Sequence, residues 1–518
     1  MKKLPVFVLV FLGFVTQSFA QDSLALKTEK IPGEGVWLDP AIAKFPRDRF
    51  RVTAWFEDQF LGDGEGYLRR SREFTGVGRI ELRRQVRDTL KTLSNESQAT
   101  VNERLTALVE AGKISNLEFH WIVNGFTCHI NRDHIDDLQL VPGVRMIYFA
   151  GPISNVGNTA SSDQPKQQTS VSSTEFTPDR FESPWYIRSL KADQVWKQHK
   201  ITGKGILNVV HDMNFVLSPN IVVNRYRNPK EEPNGKDDSG NGLIDDLHGY
   251  DFQRDRSVLT RIPMPKTGNA SSRTLHGHQC VAIICGRGTE QSPNQFGVAP
   301  ESQWAGVMAS QQIEAAVEWA IEAGADTYSM SFSRPDLGQY RSHWRKIMEH
   351  GAFCGVHFVS GAGNFATKGT PKYAPVPIQM RVPEDIPNVV FAAAGVHRDL
   401  SRTSFSSQGP VQWDTAHYHD GLVDKPEVAA FNFQIPLLVP SGGVIDKGVN
   451  GNSFAGPMYC GTIALVLSAN PELNPWEVRQ IIIDTATDIG PEGYDHQTGH
   501  GLINAFAAVS EALDRQRK

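Results

Sequence analysis

The chain has 518 residues, 40% of them hydrophobic and 21% charged, the balance of a globular protein long enough for two or three domains and not of a disordered one. A net charge of −5 and a pI near 6.4 give no reason to propose nucleic acid as a partner. The five cysteines, Cys128, Cys280, Cys285, Cys354 and Cys460, are scattered and odd in number. They form neither a disulfide framework nor a zinc spacing, although export would permit one bridge.

In chain order, residues 1–20 come first. Lys2 and Lys3 precede a nearly unbroken apolar run from Leu4 to Val15, and Ser18 and Ala20 are the small residues a signal peptidase reads. The segment is expected to be a signal peptide cleaved after Ala20, too short for a good membrane span. No cysteine follows the cut, and no later run is long and apolar enough to cross a membrane, so the mature protein is expected to be exported, secreted or periplasmic, without a membrane anchor.

Residues 21–150 read as a small α+β unit. Arg51 to Phe56 has strand character. Ile80 to Ala111 is rich in helix formers, with a break expected near Ser94-Asn95 and a stop at Gly112. "FHWIVNGFTCHI" (119–130) reads as two strands around an Asn124-Gly125 turn, "NRDHIDDLQLV" as a short helix capped by Asn131, and "GVRMIYF" as a final strand. Residues 151–184 are rich in Ser, Thr, Gln and Pro and read as a linker.

From about residue 185 to 518 short apolar runs alternate with helical stretches: "GILNVV" (205–210), "WAGVMA" (304–309), "ADTYSMSF" (325–332), "GVHFVSG" (355–361) and "VVFAAAG" (389–395). Between them Ile313, Ala316, Val317, Ala320 and Ile321 follow helical spacing, and Gly324 ends the helix. The pattern predicts an α/β fold, a parallel sheet covered by helices on both faces. In such sheets functional residues gather at the C-terminal ends of the strands.

That rule selects four residues. "ILNVV" runs into Asp212, "GVHFVS" runs into Asn364, an apolar helix starts at His276, and "GNSFAGP" (451–457) starts another at Ser453. A serine hydroxyl needs an imidazole to take its proton and a carboxylate to orient that imidazole. Asn364 and the Ser453 backbone N–H offer donors for the negative oxygen formed on attack. Taken singly, each residue has a plainer reading: Ser453 as a helix cap, His276 as a surface histidine, Asp212 and Asn364 as turn formers.

In these motifs the chain resembles the subtilisin-like serine peptidases. The order Asp, His, Ser is that family's order. "ITGKGILNVVHD", "FGVAPESQWAGVMA", "VSGAGN", "TSFSSQGP", "KPEVAA" and "GYDHQTGHGLINAFAAV" match its landmarks in sequence over residues 185–510. The resemblance implies a subtilisin-like catalytic domain in which Asp212 orients, His276 is base and acid, Ser453 attacks and Asn364 stabilises the oxyanion. Pro457 is expected in the first turn of the serine helix, where a missing N–H is harmless. Met213-Asn214, His278 and Asn452 stand where the family has Thr-Gly, Thr and Thr, and these departures keep a non-catalytic binding protein on the same fold as the alternative. A sedolisin-type enzyme is disfavoured by His276. The resemblance also implies that the first unit is a pro-domain, an inhibitor of its own enzyme, cut off within the linker.

Two further readings concern ligands. In "NGKDDSGNGLIDDLHGYDF" (234–252), Asp237, Ser239, Asn241 and Gly242 follow the first half of a calcium loop, and Asp245 and Asp246 could close it; a solvated acidic loop is the alternative. By resemblance the substrate walls are Ser331, Phe332 and Ser333 on one side and Gly361, Ala362 and Gly363 on the other. No acidic residue in the sequence marks a pocket for basic side chains, so the polypeptide substrate's preferred residue stays open. Cys280, one helical turn after His276, is expected to lie behind the imidazole.

Overall fold

The computed structural model describes residues 26–153, 182–257, 275–290, 292–367, 373–437, 444 and 447–517. The signal reading and most of the linker fall outside these residues. The first unit is a five-stranded sheet of β1 (Trp37–Leu38), β2 (Arg49–Phe56), β3 (Ile114–His120), β4 (Gly125–Asn131) and β5 (Val144–Gly151), in the order β1-β5-β2-β4-β3. Its long helix α1 (Arg79–Glu110) runs unbroken through Ser94-Asn95. Leu82, Val86, Leu90, Leu93, Val101, Leu105 and Leu108 line its buried side, and that stripe outweighs the local weakness of a Ser-Asn pair. The Asn124 turn is longer than a two-residue hairpin: a 3-10 turn, Trp121–Val123, precedes Asn124. Asn131 makes no cap bond, because a second 3-10 turn stands between it and helix α2 (Ile135–Gln139).

The second unit is the expected α/β layer structure. Its sheet comprises β6 (Leu207–His211), β7 (Gly249–Asp251), β8 (Arg256–Ser257), β9 (Gln303–Met308), β10 (Thr327–Met330), β11 (His357–Gly361), β12 (Val390–Val396) and β15 (Val428–Phe431), in the order β8-β7-β9-β6-β10-β11-β12-β15. All neighbours are parallel except the edge pair β7-β8. A separate hairpin, β13 (Val411–Asp414) and β14 (His419–Val423), projects from it.

Alternation along the strands feeds two cores. Val210, Val359 and Phe391 face helices α3 (His276–Cys285) and α6 (Asn452–Ala469). Val209, Phe358 and Val390 face α4 (Ile313–Glu322) and α5 (Arg341–Phe353). This second core continues into the first unit through Trp55, Phe60, Tyr67, Leu82, Val86, Ile122 and Tyr148. The first unit therefore covers α4 and α5, opposite the helices that carry His276 and Ser453.

Candidate active site

β6 delivers Asp212 to the C-terminal edge of the sheet, where its backbone N–H donates to the Val307 carbonyl. His276 opens α3 directly opposite. Gly277 allows this approach: a Cβ there would lie 2.6 Å from the Met213 carbonyl oxygen. His276 Nδ1 lies 2.8 Å from each Asp212 carboxylate oxygen. A second N–H, from Met213, reaches Asp212 Oδ1 at 2.7 Å. The carboxylate fixes the imidazole with its proton on Nδ1, leaving Nε2 as the acceptor edge. Burial is the largest single influence and pulls the imidazole pKa down, but the Asp212 charge and hydrogen bond, with the Cys280 thiol, together outweigh it, so the net shift is upward from 6.5.

Ser453 sits one residue inside α6, which begins at Asn452 after Gly451. Gly451 has φ 144°, a conformation open to glycine. Ser453 is thus no helix cap. Its hydroxyl donates to the Ser331 carbonyl at 3.4 Å, and no hydrogen bond joins it to His276. Pro457 stands inside the helix, beyond its first turn, which corrects the expectation above. Without an N–H, Pro457 cannot bond the carbonyl four residues back, that of Ser453. Two side chains take that carbonyl instead: Ser331 Oγ at 3.0 Å and Cys280 Sγ at 3.5 Å. The proline's missing donor is what lets β10 and α3 fasten onto the serine's own peptide.

Asn364 follows β11 and is exposed. Its Oδ1 accepts the Asn452 backbone N–H at 2.8 Å, so its NH2 group points the other way, toward Gly451. Asn452, the residue in the family's Thr position, ties the region together: its Nδ2 donates to the Gly363 carbonyl and Ser406 Oγ, and its Oδ1 accepts from Asn432. His278 bonds the Val216 carbonyl through Nδ1 at 2.9 Å. His278 and Asn452, two of the three departures from the family pattern, are therefore bonded into the scaffold.

The expected substrate walls are only partly wall-like. Ser331 holds the Ser453 carbonyl, and Phe332 packs edge-on against His211, ring centroids 4.6 Å apart. Gly361 serves helix packing, since a Cβ there would meet the Asn452 carbonyl oxygen at 2.0 Å. Ala362 is buried and bonded to β12. Ser333 and Gly363 converge on Glu384, a residue that the sequence did not single out because no spacing relates "VPED" to either wall. Cys280 Sγ lies 3.9 Å from His276 Nδ1, behind the ring as expected.

In the acidic loop, Asp237 gathers the amides of Gly240, Asn241 and Gly242 and the Ser239 hydroxyl. Asp246 is buried, accepting from Asn228, Asn241 and Trp319. Asp245 faces the other way, onto the Asn234 and Gly235 amides. The structure thus groups Asp237, Ser239, Asn241 and Asp246, and leaves Asp245 apart.

Residues 245–501 match the model of the Subtilase family. The chain belongs to that family. The match contains His276, Asn364 and Ser453, and Asp212 lies ahead of it, joined to the rest by the geometry just described. This subtilase is 24% identical over 458 residues to "Bacillopeptidase F" of Bacillus subtilis (strain 168), covering 84% of this chain and 29% of that one. It is 26% identical over 302 residues to a "Calcium-dependent protease" of Nostoc sp., covering 50% and 43%, and 29% identical over 197 residues to "Subtilisin DY" of Bacillus licheniformis, covering 38% and 61%. The chain therefore spans less than two thirds of the length of each of these relatives. A crystal structure of MycP1 with the N-terminal propeptide removed is 20% identical with a TM-score of 0.45, covering 63% of this chain and 97% of that one.

Proposed function

We propose that this subtilase is a serine endopeptidase acting on polypeptides through Asp212, His276, Ser453 and Asn364. The observation that carries the reading is the pairing of Asp212 with His276 Nδ1 at 2.8 Å, beside a serine at a glycine-opened helix start. Ser453 Oγ turns from the Ser331 carbonyl toward His276, a single χ1 rotation, and attacks the substrate carbonyl carbon. Its proton passes to His276 Nε2, and Asp212 stabilises the resulting imidazolium. The negative oxygen is met by Asn364 Nδ2 and the Ser453 backbone N–H. His276 then protonates the leaving amine, and a water repeats the sequence on the acyl-enzyme. An apo serine resting off the base is compatible with this, since such bonds tighten only when substrate arrives. The experiment is hydrolysis of a denatured protein by wild type and by Ser453→Ala. The variant should lose all but a trace of turnover, and equal rates in the two would end the reading.

The same proposal includes a zymogen. Residues 1–20 direct export, residues 21–150 act as inhibitor and folding aid, and the chain cuts itself within 151–184, leaving 185–518 as the catalytic domain. The path of the chain supports this. β5 ends at Gly151, and the next carbonyl, Pro152, accepts from Gln311 Nε2 at 2.9 Å, just past the end of β9. Ser453→Ala should accumulate as one uncut chain from about Gln21, while wild type appears as two fragments. Cutting of that variant in a protease-deficient host would show that processing is not autocatalytic.

Calcium is the one metal the proposal includes, held by Asp237, Ser239, Asn241 and Asp246 in a structural role. Hard oxygen ligands suit it, and it takes no part in the chemistry. EGTA should lower the melting temperature, and an unchanged melt would remove the metal from the account.

A further inference from the structure

Glu384 lies where the two expected substrate walls meet. Ser333, on one wall, donates its hydroxyl to Glu384 Oε1 at 2.6 Å. Gly363, on the other, puts no side chain in the way: a Cβ there would sit 2.8 Å from Glu384 Oε1, 3.0 Å from Ser407 Oγ and 3.0 Å from the Phe365 ring. Glu384, Ser407 and Phe365 thus close in on the position that a side chain at Gly363 would take. The carboxylate is fully buried, and its Oε2 has no hydrogen-bond partner. No ion pair reaches it among the described residues. The neighbouring charge, Asp385, is of the same sign and faces Arg341 at 3.8 Å.

A buried, half-satisfied carboxylate is costly to keep unless something pairs with it. Burial raises the pKa of Glu384 to about 8, against the Ser333 bond and the backbone N–H groups of Glu384 and Arg381, as burial does for an acid with no cation beside it. Glu427, by comparison, has both oxygens bonded, to Lys425 and the Ala392 amide. An apolar side chain bound between the walls would leave Oε2 unpaired, whereas an ammonium or guanidinium would supply the donors it lacks.

We propose that Glu384 is a specificity-determining residue, its carboxylate receiving the cationic head of a lysine or arginine immediately before the cleaved bond. The inference rests on the peptidase reading and deepens it. Gly363 puts no side chain of its own between the walls, and Ser333 holds Oε1 while Oε2 takes the new bond.

The test compares peptides that differ only in this residue, Lys, Arg, Leu or Phe, on wild type and Glu384→Gln. In wild type, kcat/KM for Lys or Arg should exceed that for Leu by about tenfold or more, the scale of one charge-assisted hydrogen bond. In Glu384→Gln the ratio should fall to about one or below, mostly through KM. A wild-type preference for Leu or Phe, or a ratio untouched by the substitution, would overturn the proposal. Should the variant not fold, wild type alone decides: benzamidine should slow peptide hydrolysis competitively and uncharged benzamide should not, and equal effects of the two would overturn it. Labelling of wild type by an uncharged fluorophosphonate separates the two failures. Without labelling the peptidase reading itself falls, and with labelling but no basic preference only the role of Glu384 does.

Discussion

At the scale of single residues, the account rests on how charge is held around His276. Because Asp212 raises the imidazole pKa above 6.5, and only the neutral ring can accept the Ser453 proton, kcat/KM should rise with pH along a limb centred above 6.5. Asp212→Asn removes the charge, so the limb should move toward lower pH while the rate drops by about 10⁴. A limb that stays in place would mean that another group controls it. Asn364→Ala should lower kcat by about 10²–10³ with a smaller change in KM, as loss of an oxyanion donor does, and an unchanged kcat would reduce Asn364 to a turn residue. Cys280, at 3.9 Å from His276 Nδ1, should make the enzyme sensitive to mercurials, because a bulky metal there displaces the ring. Cys280→Ala should abolish that sensitivity, and equal inhibition of the two forms would place the reactive thiol elsewhere. The four central residues were legible because strand ends and helix starts announce themselves in the apolar pattern. Glu384 was not, since its meaning comes from Ser333 and Gly363, which lie 51 and 21 residues away and meet only after folding.

At the scale of elements, strands β6, β9, β10, β11 and β12 were readable because buried parallel strands are short continuous apolar runs. The hairpin β13–β14 was not: buried Val411 and Trp413 alternate with exposed Gln412 and Asp414, but that run is only four residues long, and β14 has no buried residue to mark its partner strand. The unbroken α1 shows the opposite error, where two poor helix formers were given more weight than a stripe of leucines and valines docked on a partner. The close approach of β11 to α6 is the element contact that sets the serine against Asn364. Gly361→Ala would drive a Cβ to within 2.0 Å of a backbone oxygen, and backbone cannot step aside as a side chain can. The variant should lose about 1–3 kcal/mol, seen as a fall in melting temperature, together with most activity. A melt identical to wild type would mean that β11 and α6 are not tightly coupled.

At the scale of the whole molecule, the first unit is more than an appendage. Arg51 of β2 donates to the Gln311 carbonyl at 2.6 Å and reaches Glu314 at 3.4 Å, both partners belonging to the second unit. Trp55 donates to His343 Nδ1 at 2.8 Å, and since indole is only a donor, His343 carries its proton on Nε2 and gives it to Glu314. Lys346 is fully buried with the Leu61 carbonyl as acceptor, and burial lowers its pKa to about 8. None of this was visible in the sequence, because each pair that joins the two units is separated by more than 250 residues. Arg51→Ala would leave Glu314 buried without its cation, and about 3–5 kcal/mol of stability should go with it. An unchanged unfolding midpoint would show that the charge is satisfied elsewhere. Acid acts on the same contacts. His343 and His350 titrate below 6.5 in the folded state, because burial opposes their charging. Protons therefore favour the unfolded state from about pH 6.5 downward, and stability should fall over that range. Glu314, held below the usual carboxylate range by Arg51 and His343 against burial, adds a loss that begins near its unfolded pKa of 4.5 and continues below.

The central claim is that Ser453 is a nucleophile activated by His276. The most direct measurement is mass-spectrometric mapping of a fluorophosphonate adduct on the wild-type chain and on folded His276→Ala. The account predicts one adduct, on Ser453, in wild type, and labelling slowed by orders of magnitude in the variant. An unlabelled wild-type Ser453, or equal labelling of both forms, would contradict it.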